Sequence, residues 1–243
     1  IKIKKITQEA NKKNNVEVLD CDLLCMSGGW SPTVHLFTQS RGKLKFRKED
    51  SCFVPHQAHQ QTISVGSCNG VFDLRSILRQ TNKFVNNFLS ENKKDIFETE
   101  LYDSDEIKVA QQKNIWLIHD EEKIRKSKIF VDFQNDVTAK DIKVALSEGF
   151  QSIEHVKRYT TNGMATDQGK TSNVNALGII SELTGQDMSS LGTTTFRLPY
   201  TPVTFGAIAG RHVKEFFDIE RRTPIHAFHL NNNALFEDVG EWK

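Results

Sequence analysis

The sequence predicts an α/β region followed by a small helical unit, and two patterns support this. In residues 1–90, short apolar segments of strand character stop at glycine turns and lead into an amphipathic helix. In residues 129–190, one extended segment precedes three helical segments that are bounded by capping residues. The charged, irregular residues 91–128 predict a linker, and residues 191–243 predict a connector rich in turn signals.

Composition limits the classes of protein to which the chain can belong. Its 243 residues suffice for one large or two ordinary domains, and a net charge of +1 gives no field that would hold nucleic acid or a membrane surface. The apolar runs are too short to span a bilayer. The cysteines lack the spacing of a disulfide framework, so we expect reduced thiols and a cytoplasmic protein; they are Cys21, Cys25, Cys52 and Cys68. Because the chain opens in IKIKKITQ and stops at LFEDVGEWK, we also expect a piece of a longer polypeptide.

The first region begins with a predicted strand, IKIKKI, whose isoleucines alternate with lysines. After the polar turn NKKNN, the stretch VEVLDCDLLCMSGGW predicts one or two strands, and the last of them, DLLCM, stops before Gly28 and Gly29. A second short strand at 63–65 ends at Gly66. An amphipathic helix over 74–88 follows.

Glycine turns after strands are typical of nucleotide-binding folds, because glycine lets the backbone approach a ligand closely. The turns at Gly28-Gly29 and at 66–70 therefore suit a two-dinucleotide-fold flavoprotein or pyridine-nucleotide protein. The full G-x-G-x-x-G fingerprint with a following acidic residue is absent. Ordinary turns stay open as the alternative.

The helical unit shows clear helix boundaries. After the extended segment IFVDFQND, a first helix begins at the N-cap Thr138, with Asp141 three residues on as in a capping box. A second helix covers about 152–161, with Gly163 as its left-handed C-cap, and a third closes at Gly185. This part of the chain is therefore expected to be α-helical.

The segment GMATDQGKTS, residues 163–172, has the glycines and the Gly-Lys-Thr ending of a phosphate-binding loop. A P-loop has four residues between its glycines and follows a buried strand, whereas here five residues intervene and a helical pattern precedes. These differences exclude an ATP-hydrolysing P-loop. Backbone N–H groups together with Lys170 still predict a site for an anion.

Other candidate sites are weaker. The spacing of Cys52, His56, His59 and Cys68 departs from that of structural zinc sites, and PHQAHQQ predicts an exposed polar loop. No nucleophile elbow or Ser-His-Asp order can be argued from the chain. We therefore assign no catalytic residue and no metal site.

Five segments carry a family resemblance: CDLLCMSGGWSPTVHLFTQSRGKL, SVGSCNGVFDL, VDFQNDVTAKDIKVALSEGFQSIEHVKRYTTNGMATDQGKTSNVNALGI, LGTTTFRLPYTPVTFGAIAGR and RRTPIHAFHLNNNALFEDVGEWK. Together they resemble the alpha subunits of heterotetrameric sarcosine oxidases. The resemblance implies oxidative demethylation of sarcosine (N-methylglycine) by O2, giving glycine, H2O2 and formaldehyde or 5,10-methylene-tetrahydrofolate. It also implies FAD and tetrahydrofolate elsewhere in the complex, and the beta, gamma and delta subunits and the remainder of the alpha subunit as partners.

The same resemblance implies a domain order. Residues 1–90 would be the C-terminal part of a two-dinucleotide-fold nucleotide-binding domain that binds NAD, and the chain would end where a folate-binding aminomethyltransferase-like domain starts. On its own it is expected to be inactive, because it lacks the FAD subunit and part of the NAD domain.

Residues 129–190 also resemble the bacterioferritin-associated-ferredoxin-like [2Fe–2S] domains. The positions that correspond to the cluster cysteines of those domains are Asp132, Gln134, Asp167 and Ser172. Because a [2Fe–2S] cluster needs thiolates, or histidines in some sites, this pattern predicts a domain of the same kind that has lost its cluster. We expect no iron–sulfur cluster.

Cofactor sites follow from the turns and from the resemblance. We expect NAD at Gly28, Gly29, Gly66, Ser67, Cys68, Asn69 and Phe72. The resemblance supplies an FMN shared with the beta subunit, and we assign it to two groups of N–H, hydroxyl and cationic donors: Gly169, Lys170, Thr171, Ser172, Thr193, Thr194, Thr195 and Arg197. The alternative is a structural or docking module of a related amine dehydrogenase complex, with no cofactor contact of its own.

Overall fold

A computed structural model describes residues 2–4, 16–25, 27–96, 104–105, 114–117 and 127–242. Contacts divide the chain into two compact units, Ile1–Ser31 and Pro32–Lys243. The described residues contain helices and three two-stranded antiparallel sheets, so the content is mixed α and β. Within these residues none of the helices has the length and apolar character of a membrane span.

The first unit contains one short hairpin-like pair. Strand β1 (Lys2–Lys4) pairs antiparallel with β2 (Val16–Val18), so the strand predicted for IKIKKI is confirmed at these residues. The strand predicted for DLLCM is wrong over 22–25, where the backbone has no regular structure and Leu23 is 77% exposed; Met26 lies outside the described residues. A strand needs a hydrogen-bonded neighbour, and among the described residues of this unit the sheet consists of β1 and β2.

The second unit opens with a helix and a hairpin that the sequence did not predict. Helix α1 (His35–Gln39) precedes β3 (Lys43–Arg47), which pairs antiparallel with β4 (Cys52–Gln57). The four-residue connection 48–51 is far too short for a parallel crossover, so it makes a hairpin. Phe46 and Phe53 face each other in the register, and both are buried.

The glycine turn that follows differs from its prediction. Residues 62–65 form no strand, and Ile63 is largely exposed, so the strand predicted there is wrong. A 3₁₀ helix (Gly66–Asn69) occupies the turn instead. The amphipathic helix is confirmed as α2 (Leu74–Glu91), whose N-cap Asp73 accepts a hydrogen bond from Ser76 N–H at 2.8 Å.

The predicted helical unit is present. Strand β5 (Phe130–Asp132) pairs with β6 (Val137–Thr138), and the helices are α3 (Ala139–Ser147), α4 (Ile153–Thr160), α5 (Asn173–Thr184) and the short α6 (Met188–Leu191), which was not predicted.

Two of the three predicted helix ends are confirmed. The capping box is confirmed, because Thr138 and Asp141 exchange side chain–backbone hydrogen bonds. The left-handed C-cap Gly185 (φ +71°) is also confirmed. Gly163 as C-cap of α4 is wrong, because Thr161 takes the left-handed conformation (φ +64°) two residues earlier.

One hydrophobic cluster joins the helices to the β3–β4 hairpin. Ile142 and Ala145 of α3 are completely buried, and Phe46, Phe53 and Leu117 belong to the same cluster. Trp116 packs so closely on α5 that a Cβ on Gly178 would collide with its ring. Residues 91–128 are therefore not a solvated linker throughout, because 116–117 contribute to the core.

The end of the second unit is largely exposed to solvent. Helix α7 (Phe205–Ala209), a 3₁₀ segment (Arg211–Phe217) and helix α8 (His226–Asn231) lie here. Most of residues 201–242 are exposed, and Leu235 is fully exposed.

Candidate cofactor site

The 163–172 loop connects α4 to α5 and is tied to the β5–β6 turn by a buried carboxylate. Asp132 is 1% exposed, and its Oδ2 accepts a hydrogen bond from Gly163 N–H at 2.7 Å. Its Oδ1 accepts from the N–H groups of Gln134 (2.9 Å) and Asn135 (3.1 Å). Three backbone donors thus balance one buried negative charge.

A second link joins the same two segments. The side-chain Oε1 of Gln134 accepts a hydrogen bond from Asp167 N–H at 3.2 Å. Asp167 in turn accepts from Gly169 N–H at 2.9 Å and from the Thr171 hydroxyl at 2.9 Å. Oxygen side chains at 132, 134 and 167 therefore hold together two segments that no backbone ladder connects in the described residues.

These bonds occupy donors that the sequence assigned to a phosphate. Gly169 N–H and the Thr171 hydroxyl both donate to Asp167. The Ser172 side chain is completely buried, and its hydroxyl has no hydrogen-bond partner among the described residues. A phosphate at this point of the loop would meet the Asp167 carboxylate, so the loop backbone is a poorer anion site than its sequence indicates.

Two glycines of the loop are required by its close packing. Gly163 (φ +66°) and Gly169 (φ +75°) adopt the left-handed conformation, and a Cβ on either would collide with the Asn173 side chain. Asn173 is buried and donates from Nδ2 to Gln168 C=O at 3.2 Å. These glycines therefore serve the folding of the loop itself.

Lys170 contacts an aromatic residue that the sequence reasoning missed. Its ammonium donates to Tyr200 C=O at 2.6 Å and lies 3.9 Å from the centre of the Tyr200 ring. His35 stacks on the same ring, with 4.0 Å between the ring centres and 15° between the ring planes. The signal was present in the sequence as RLPYTP, a proline-flanked tyrosine in a turn segment.

Burial and neighbouring charges shift the pKa values of His35 and Tyr200. Burial, and next the Lys170 ammonium, lower the pKa of His35. Burial, and next the Asp167 carboxylate, raise the pKa of Tyr200. The histidine is therefore neutral and the phenol protonated near neutral pH, and Lys170 is the cation of this group.

The predicted threonine-rich segment lies against the loop. Arg197 N–H donates to Gln168 Oε1 at 3.0 Å, and the Gln168 side-chain amide donates to Pro199 C=O. Thr195 N–H donates instead to Glu154 on α4, at 2.9 Å. The structure thus brings Arg197 and Thr195 close to the loop and to α4, while Thr194 is buried and Thr193 half-buried.

A second cation stands beside this segment on α4. Burial lowers the pKa of Lys157; the Glu154 carboxylate opposes the shift, and the Arg197 guanidinium adds to it. A small cavity next to Lys157 and Thr194 has room for about one water molecule. Because the cavity is far too small for a flavin, any flavin contact here is at the surface.

The predicted NAD turn is organised by an arginine of β3. Arg47 donates to Gly70 C=O at 2.6 Å, and a Cβ on Gly70 would come within 2.8 Å of Val54 Cγ1. Ser67 is exposed, whereas Cys68, Asn69 and Phe72 are half-buried and Gly66 is buried. Gly28 and Gly29 are exposed and belong to the first unit, and a Cβ on Gly28 would meet nothing within 4 Å.

Metal-ligand chemistry is not assembled in the part of the chain that the structure describes. No group of three or more His, Cys, Asp or Glu side chains there is arranged to hold a metal ion. Cys52 is buried on β4, where burial raises the pKa of its thiol. The absence of a cluster from the protein stays a prediction.

Comparison with known proteins finds a family match within the second unit. Residues 126–211 match the family model of the sarcosine oxidase A3 domain. This stretch of the chain is similar to the sarcosine oxidase A3 domain. The match covers the predicted helical unit 129–190 and the first part of the predicted connector. It therefore includes both the 163–172 loop and Tyr200.

Sequence relatives extend the similarity beyond the A3 domain. The chain is 38% identical to sarcosine oxidase subunit alpha of Corynebacterium sp. (strain P-1) over 92% of its length, and 37% identical to that of Corynebacterium sp. (strain U-96) over 97%. It is 35% identical to the subunit of Rhizobium meliloti (strain 1021) over 96%. The chain covers 24%, 25% and 23% of these relatives, about a quarter of their length. The family resemblance predicted from the sequence is confirmed.

One solved structure supports the fold. L-proline dehydrogenase from P. horikoshii aligns with a TM-score of 0.51 at 22% identity, over 82% of this chain and 40% of that chain. At this identity the likeness concerns the fold alone.

Proposed function

We propose that the chain is part of the alpha subunit of an oxidoreductase that oxidatively demethylates sarcosine with O2. The products are glycine, H2O2 and formaldehyde, or 5,10-methylene-tetrahydrofolate when the folate is present. The observation that carries this proposal is 35–38% identity to sarcosine oxidase alpha subunits over more than nine tenths of the chain. The proposal includes FAD and tetrahydrofolate elsewhere in the complex, and beta, gamma and delta partner subunits in the cytoplasm.

The overall reaction is tested on the complete complex that contains this chain. Sarcosine should drive O2 consumption and H2O2 release, and glycine should accumulate. Turnover with another secondary amine and none with sarcosine would contradict the substrate assignment.

For the FMN, we propose that side-chain cations rather than the loop backbone attract the phosphate. Lys170 and Arg197 have exposed side chains, and Lys157 is a half-buried cation next to Arg197. Such charges fit a phosphate that carries close to two negative charges. FMN, when bound, supplies the electron carrier, and the residues of this chain hold its anionic end.

The FMN assignment is tested with Lys170→Met, which removes the charge and keeps an apolar stem beside Tyr200. A charge-assisted hydrogen bond is worth about 1.5–3 kcal/mol, so FMN retention should weaken by roughly one to two orders of magnitude. If FMN is held covalently by the beta subunit, the rate of its reoxidation should change instead. Lys143→Met, on the exposed face of α3, is the matched control. If both variants retain and reoxidise FMN equally, the loop does not contact the flavin.

For NAD, we propose contacts at Gly28-Gly29 and at the 66–72 turn. The exposed Ser67 and the exposed backbone at Gly28-Gly29 support this assignment, because a ligand can reach them. Ser67→Asp places a negative charge against the dinucleotide and should reduce the bound NAD content of the complete protein. Ser90→Asp, near the end of α2, is the control; unchanged NAD in both variants would contradict the assignment.

A docking module without cofactor contact is the second candidate. Two observations favour it: Asp167 already accepts bonds from the loop, and α2 contains no buried residue although it carries Phe84, Val85 and Phe88. Under this reading, Lys170→Met and Ser67→Asp change neither flavin nor NAD content. Substitutions on α2, such as Phe88→Ser, then weaken subunit assembly.

A further inference from the structure

The starting observation is a chain of side-chain hydrogen bonds that crosses the region similar to the A3 domain. It begins at the buried Asp132 carboxylate, which accepts bonds from the N–H groups of Gln134, Asn135 and Gly163. A buried carboxylate with its full set of donors fixes the backbone groups that it contacts, because leaving any of them unpaired is costly. Asp132 therefore sets the start of the 163–172 loop.

The middle of the loop is held through Gln134. The backbone of Gln134 is bound by Asp132, and its side-chain oxygen accepts from Asp167 N–H at 3.2 Å. Asp167 then orders the end of the loop through Gly169 and Thr171. Each step is a hydrogen bond to a group that the previous step has already fixed.

The loop transmits this order to the next segment. Gln168 binds Arg197 N–H and Pro199 C=O with the two ends of its side-chain amide, and Lys170 binds Tyr200 C=O. The segment 197–200 forms no helix or strand, so these side-chain contacts are its described attachment to the loop. None of the described hydrogen bonds of Asp132 reaches this segment.

We propose that Asp132 is a positioning residue for residues 197–200: it places the 163–172 loop, and the loop places Arg197 and Tyr200. The segment 197–200 then takes part of its order from a carboxylate on the far side of the loop, besides the stacking of His35 on Tyr200. This inference concerns the order of the chain itself and holds whether or not a flavin binds here.

Hydrogen exchange of single amides in the complete protein tests the proposal. The Arg197 amide reports on the loop, because it donates to Gln168, whereas the Thr195 amide donates to Glu154 on α4. In Asp132→Asn, one oxygen is replaced by a group that cannot accept. The amides of Gly163 and Arg197 should exchange roughly tenfold faster or more, while the Thr195 amide stays unchanged.

A second pair of variants keeps the test decisive if Asp132→Asn unfolds. Gln134 is exposed, so Gln134→Leu removes only its acceptor, and it should speed exchange at Asp167 and Arg197. Gln134→Glu keeps an acceptor oxygen and should restore slow exchange at both amides. Asp141→Asn is the matched charge control, since the described bonds of Asp141 stay within the capping box with Thr138.

The proposal is overturned if Gln134→Leu leaves the Arg197 amide as protected as in the parent protein. It is also overturned if Asp141→Asn raises exchange at Arg197 as much as Asp132→Asn does. Faster exchange at Gly163 alone, with Arg197 unchanged, would show that Asp132 acts only locally.

Discussion

Two glycine-bounded loops of this chain are held in different ways. The 163–172 loop is ordered by side-chain oxygens, chiefly the carboxylates of Asp132 and Asp167. The 66–70 turn is a 3₁₀ helix (Gly66–Asn69) followed by Gly70, whose carbonyl accepts a hydrogen bond from the Arg47 guanidinium. In the first loop, carboxylates accept hydrogen bonds from backbone N–H groups that an anion would need. In the second, the guanidinium binds a carbonyl and so does not compete for N–H groups. Glycine content therefore does not show whether a loop is prepared for a phosphate.

The largest expected effect comes from the tightest glycine of the loop. Gly169→Ala combines a left-handed φ with a collision against Asn173, so it should destabilise the protein by about 2–4 kcal/mol. Gly149→Ala is the control, because Gly149 has φ +95° but nothing within 4 Å of the new Cβ, and it should cost about 1 kcal/mol. Urea unfolding of both variants measures the difference, and equal losses would show that the packing on Asn173 is unimportant.

The 66–70 turn should respond less and in a different way. Gly70→Ala places a Cβ against the Arg47 side chain and Val54, at a cost of about 1–3 kcal/mol. In an Arg47→Ala background the guanidinium is gone, so the same substitution should cost less. A double-mutant cycle measures this coupling, and strict additivity would mean that Arg47 does not organise the turn.

The sequence predicted the helical unit well and the first part of the chain poorly. Capping residues act locally, so Thr138, Asp141 and Gly185 could be assigned from their neighbours alone. A strand needs a partner strand. The apolar run at 22–25 has none among the residues that the structure describes, whereas Lys43–Arg47 pairs with Cys52–Gln57. The alternation of Lys43–Arg47, with a charged turn after it, was the missed signal for the β3–β4 hairpin.

The candidate site could likewise be predicted only where it depends on neighbouring residues in the sequence. The donors of the loop could be named from the sequence, but their pairing with Asp132 and Gln134 joins residues about thirty positions apart. The segment RLPYTP marks Tyr200 as a turn residue, but its stacking with His35 depends on the tertiary fold. The NAD and FMN assignments stay predictions.

The smallest effect is expected from pH at the aromatic end of the loop. Burial and Lys170 lower the pKa of His35, so the unfolded chain binds more protons than the folded one just below the usual histidine pKa of about 6.5. Stability should therefore fall as the pH drops through about 6.5. Between pH 7.5 and pH 5.5, thermal unfolding should show a smaller loss of stability in His35→Gln than in the parent protein. An identical loss in both would contradict the role of His35.

We propose that oxygen side chains order this loop where related domains hold a cluster, and that the complete complex carries flavin and no iron–sulfur cluster in this chain. The absorption spectrum of the anaerobically purified complete complex, together with iron and acid-labile sulfide analysis, tests it most directly. The account predicts flavin bands without iron, since the positions 132, 134, 167 and 172 carry no thiol. Iron and sulfide at the stoichiometry of a [2Fe–2S] cluster in this chain would contradict it.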